Sequence, residues 1–165
     1  MKKIKRDIPL NTFEIIFQVL SIMIVLYITF LFIFKYGSLP ETIPAHYNAK
    51  GEVDGWGHKS SVLLLYGICL VMYIGLTVLE RYPQLYNYPV QITKDNIKIQ
   101  YRLARTLITT LKLATTIIFM LNIASAIRDQ TENASILMGN YFIFFVLGIT
   151  FIPIFGYFVL SYKNK

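Results

Sequence analysis

The stretch "LPETIPAHYNAKGEVDGWGHK" at residues 39–59 holds both histidines and the sole tryptophan of the 165-residue chain. His46, Glu52 and Asp54 are residue types that ligate metals, or that order a polar surface through a charge-assisted hydrogen bond. Their spacing matches no metal motif, so the expectation is a His46–Asp54 pair that orders the loop, with no metal and no cofactor. Two carboxylates in a solvated loop do not make an acid–base pair. The chain also lacks a nucleophile elbow, an HExxH helix and a phosphate-cradling glycine loop. An enzyme is not expected.

A second constellation is cationic. At about 100° per residue, Arg102, Arg105, Thr109, Lys112 and Thr116 fall within an arc of roughly 80° on one helix. Two readings stand for it. The arginines sit at the membrane interface while Lys112 snorkels toward it; or the stripe faces the bundle as a site for an anionic lipid headgroup or an acidic side chain. Glu14 is the expected ion partner of Lys112. It also stands three residues after Asn11 in "NTFE", a capping-box spacing that needs no ion partner.

The elements that carry these groups follow from pattern. "NAKG" is a turn signal, with Asn48 at its start and Gly51 where a left-handed residue is needed. The hairpin it predicts sets Asn48 opposite Glu52, Tyr47 opposite Val53 and His46 opposite Asp54. Alternation then gives a polar face of His46, Asn48, Glu52 and Asp54, with Tyr47 and Val53 on the face toward the bundle. Pro40 and Pro44 favour an extended approach to the first strand. Trp56 suits a membrane interface, and Ser60 or Ser61 is placed to cap the helix that follows.

Four apolar runs surround these features, over about 12–34, 61–79, 103–127 and 136–160. Each is long enough for a helix to cross about 30 Å of hydrocarbon, where only internally bonded backbone is tolerated. Hydrophobic residues are 55% of the chain and charged ones 15%. The fold class is therefore an all-α membrane protein of four transmembrane helices, a single domain over 1–165 in the lipid bilayer. The loop 35–60 lies between spans one and two, and a connection over 80–102 between spans two and three. A helix beginning near Asp95 is expected to run into the third span. Gly67 with Gly75, and Gly148 with Gly156, suggest close helix packing, and Pro153 a kink.

The net charge of +7 is distributed by side rather than clustered for nucleic acid. Eleven Lys and Arg lie at the termini and second connection, against four in or near the other connections. By the positive-inside bias both termini are cytoplasmic and the loop 35–60 faces outward. Asn133–Ser135 fits a glycosylation acceptor triplet. Cys69 stands alone, so no internal disulfide forms.

The loop also resembles the signature of a bacterial membrane domain family of unknown function, related to the N-terminal part of SdpI-type immunity proteins. The resemblance is carried by Leu39-Pro40, Ile43-Pro44, His46, Asn48, Gly51, Asp54, Gly57 and Lys59, and covers the first two spans. It implies a bacterial plasma-membrane location and an outward loop that binds a ligand such as a toxic peptide, in toxin immunity or envelope signalling. The alternative is a small transporter or anionic-lipid-handling protein using the Lys112 stripe. Because four helices make a thin pathway, that role would need a homo-oligomer.

Overall fold

The structure is a computed structural model that describes residues 8–48, 50–128, 139 and 141–165. Among the described residues, four helices are long and apolar enough to cross a membrane. They are α1 (Thr12–Lys35), α2 (Ser60–Leu79), α3 (Ile97–Arg128) and α4 (Phe142–Lys163). A two-stranded antiparallel hairpin, β1 (Thr42–Tyr47) and β2 (Val53–His58), stands between α1 and α2. The chain is a multi-pass membrane protein of the expected class. The Asn133–Ser135 triplet, Ala49 of the turn and the basic residues 2–6 lie outside the described residues.

α3 is the hub. It packs against α1, α2 and α4, and its 32 residues make a rod about 48 Å long, more than a bilayer core requires. It starts at Ile97 rather than Asp95 because Thr93 and Asn96 cap each other. Asn96 donates its backbone N–H to Thr93 Oγ1 at 3.2 Å, and Thr93 donates its own to Asn96 Oδ1 at 2.8 Å. α1 and α2 meet near the hairpin, where Phe32 and Tyr66 stack and Thr29 bonds the Tyr66 hydroxyl at 3.0 Å.

α4 begins at Phe142, after a turn in which Phe142 N–H donates to the Gly139 carbonyl, and continues unbroken past Pro153 to Lys163. Its link to the hub is polar. Ser161 Oγ donates to Gln100 Oε1 at 2.6 Å, and Gln100 Nε2 donates to the Ser161 carbonyl at 2.9 Å. Among the described residues, the glycine pairs mediate no close helix packing. A Cβ at Gly67, Gly75 or Gly156 would meet nothing within 4 Å, and one at Gly148 only Ile152.

The core lies toward the hairpin end, where Ile28, Val62, Cys69, Ile123 and Ala126 pack with Leu39 and Ile43 from the loop. The connection between α2 and α3 is irregular and tyrosine-rich. Tyr86 and Tyr88 donate their hydroxyls to the Leu79 and Pro83 carbonyls, and Tyr88 stacks between Tyr86 and Tyr101.

Candidate functional site: the hairpin and the cleft beneath it

The turn forms as its residue types demand. Asn48 Oδ1 accepts from the Lys50 and Glu52 backbone N–H groups at 2.8 and 3.0 Å, and Gly51 takes φ 80°. That conformation clashes with a Cβ, so glycine belongs there. Asn48 also donates its side-chain amide to Glu52 Oε2 at 2.8 Å.

His46 and Asp54 do meet, Nδ1 to Oδ1 at 2.5 Å, but not in the expected register. Tyr47 faces Val53, whereas His46 faces Gly55 and Pro44 faces Trp56. Two compensating irregularities leave Ala45 and Asp54 without a direct opposite. Gly55 makes the offset feasible: a Cβ there would lie 2.8 Å from His46 Cβ. Gly57 has a similar role, since its Cβ would lie 3.0 Å from Ala45 Cβ. The pair is solvent-facing, so it orders the ribbon more than it stabilises the fold.

At the base of the hairpin Glu41 joins both strands to α2. Its carboxylate accepts from Lys59 Nζ at 2.8 Å and His58 Nε2 at 2.9 Å, and Lys59 N–H donates to the Glu41 carbonyl at 2.8 Å. The Lys59 hydrogen bond, then its charge, hold the Glu41 carboxyl below its ordinary range, against a smaller desolvation effect. His58 Nδ1 accepts from the Ser60 backbone N–H at 3.2 Å, so His58 caps the start of α2. Ser60 or Ser61 was the expected cap, yet both lie inside the helix and Lys59 takes the N-cap position. Glu41, Gly55 and His58 were not singled out from the sequence for these roles. The signal for Gly55 was its position beside Asp54 in a strand, where glycine marks a bulge or a close approach.

Beneath the ribbon, Ile43 and Pro44 are fully buried against the bundle, while Pro40 and Trp56 remain exposed. Tyr47 and Val53 are half-buried. β1 then forms one wall of a cleft of about 570 Å³. Leu64 of α2, Ala126 of α3 and Phe142 and Ile143 of α4 form its apolar sides. Ser61 and Asn122 supply polar atoms, and His46 and Asn48 sit at the strand's far end.

The cationic stripe faces inward, except that Arg102 is exposed and does not join it. Arg105 makes four hydrogen bonds among the described residues: Nε and Nη2 donate to the two Glu14 oxygens at 3.1 and 2.9 Å. Its Nη1 and Nη2 also donate to the carbonyls of Ile8 and Pro9. Glu14 simultaneously completes the capping box with Asn11. Lys112 is paired with Glu80, not Glu14, at 2.9 and 3.0 Å, with Thr109 also donating to Glu80. Lys112 is 1% exposed, so it does not snorkel. Its partner was missed because α3 begins well beyond the end of α2, which brings Lys112, 15 residues after Ile97, level with Glu80.

A family model described as "Domain of unknown function (DUF1648)" matches residues 22–70. That unit is the hairpin with the helix halves that hold it. A protein of Archaeoglobus fulgidus described as "Uncharacterized protein" is 36% identical over 62 residues, covering 33% of this chain. The match spans about a third of that relative, 34% of its length. No solved structure matches.

Proposed function

We propose that this protein binds a ligand from outside the cell in the cleft under the hairpin, as an SdpI-like toxin-immunity or envelope-signalling protein of the bacterial plasma membrane. It is not an enzyme in this reading. The observation that carries it is the β1 wall: residues 44–48 of one strand line an apolar cleft opened between α2, α3 and α4. A toxic peptide with apolar side chains suits such a surface, with Asn122, Ser61 and the strand available for its polar backbone. The hairpin is held at turn, middle and base, which limits the ordering cost of binding.

The rival, a transporter or lipid-handling protein built on Lys112, has less support. Its buried cations, Arg105 and Lys112, are already occupied by Glu14 and Glu80. Expression in cells exposed to a panel of secreted membrane-active toxic peptides tests the reading. The intact protein should raise survival against at least one of them. Leu64→Trp or Ile143→Trp, filling the cleft from exposed positions, should remove that protection at equal membrane abundance. Protection by none, or undiminished protection by both variants, would contradict it.

A further inference from the structure

A second concavity lies on the other side of α3. A groove of about 710 Å³ runs between α1 and α3, lined by Tyr27 and Leu31 on one helix and Leu121 and Ala124 on the other. Lys35 and Arg128 line the same groove. α1 and α3 run in the same direction: Asn11 meets Thr106 near the start of α1, and Lys35 and Arg128 share the groove at the far end. Both cations therefore stand at one end of the groove, with about 10–12 Å of apolar wall behind them.

Their placement is informative. Among the described residues Lys35 and Arg128 have no carboxylate partner, as is also true of exposed cations such as Lys50, Arg81 and Arg102, but these two line one groove. Each closes the last turn of its helix, where a cation favours the helix dipole. The dipole explains one cation per helix. It does not explain why both stand at the same end of one apolar groove.

We infer that the α1–α3 groove binds an anionic diacyl phospholipid. Its phosphate sits between Lys35 and Arg128, and an acyl chain lies along Tyr27, Leu31, Leu121 and Ala124. Charge complementarity at one end and apolar complementarity along the rest commit the site to an amphiphile rather than a free anion. This site is separate from the cleft under the hairpin and does not depend on it.

Native mass spectrometry of the purified protein, offered phosphatidylglycerol and phosphatidylcholine with identical acyl chains, tests it. Two cations near a membrane surface should favour phosphatidylglycerol on the order of thirtyfold. Lys35→Gln with Arg128→Gln should bring the preference close to unity, and Lys35→Arg with Arg128→Lys should retain most of it. Arg81→Gln with Arg102→Gln, exposed cations at the opposite end, should leave it unchanged. Ala124→Trp should reduce retention of both lipids. No preference in the intact protein, or a preference that survives loss of both charges, would overturn the assignment. So would charge loss that lowers thermal stability with lipid retention unchanged, the signature of a dipole role alone. Displacement of the lipid by excess inorganic phosphate would overturn it too.

Discussion

Gly55 shows how a single missing Cβ sets the geometry of the candidate site. His46 can approach the second strand because nothing projects from Gly55, and Asp54 is thereby free to reach the imidazole. Gly55→Ala would place a methyl group 2.8 Å from His46 Cβ, so one strand must move. The expected cost is about 1–3 kcal/mol, that of overpacking a tight contact. Gly37→Ala, where a Cβ meets nothing within 4 Å, should have little effect by comparison. Thermal unfolding of both variants in detergent measures the difference, and equal stabilities would contradict the close approach. At this scale the sequence was legible in part. The turn was readable because Asn48 and Gly51 have strong local preferences. The one-residue offsets at Ala45 and Asp54 were not, because they cancel and leave the strand pattern unchanged.

Among the elements, α3 holds the bundle together through polar contacts as well as apolar ones. It joins α1 through Arg105–Glu14, α2 through Lys112–Glu80 and α4 through Gln100–Ser161. The four apolar runs were legible because a bilayer demands length and uniformity that little else in a sequence imitates. Relative depth was not. Counting Lys112 from the start of an apolar run assumes that helices begin at the same level, whereas α3 projects beyond α2 and aligns Lys112 with Glu80. Lys112→Met should leave a buried carboxylate without its partner and cost about 3–5 kcal/mol. Adding Glu80→Leu should recover much of that loss, a clear departure from additivity. Lys112→Met combined with Glu14→Gln should instead be additive within about 0.5 kcal/mol, because the two belong to separate pairs. Unfolding of the single and double variants in detergent decides it. Coupling of Lys112 to Glu14 but not to Glu80 would overturn the arrangement.

The whole molecule has two ends of different character. At one, the hairpin stands over an apolar cleft, and the DUF1648 match coincides with that hairpin and its supporting helix halves. At the other, tyrosines and exposed cations surround the connection between α2 and α3. The proposed function requires the first end to face outward, which is also what the distribution of Lys and Arg favours. Lys50 and Asn87 are exposed at opposite ends, and the native Cys69 is buried in the core. Single Lys50→Cys and Asn87→Cys variants can therefore be probed with a membrane-impermeant thiol reagent. The account predicts that Lys50→Cys is labelled in intact cells and that Asn87→Cys is labelled only after lysis. Labelling of Asn87→Cys in intact cells, with Lys50→Cys protected until lysis, would put the cleft on the cytoplasmic side and contradict the account.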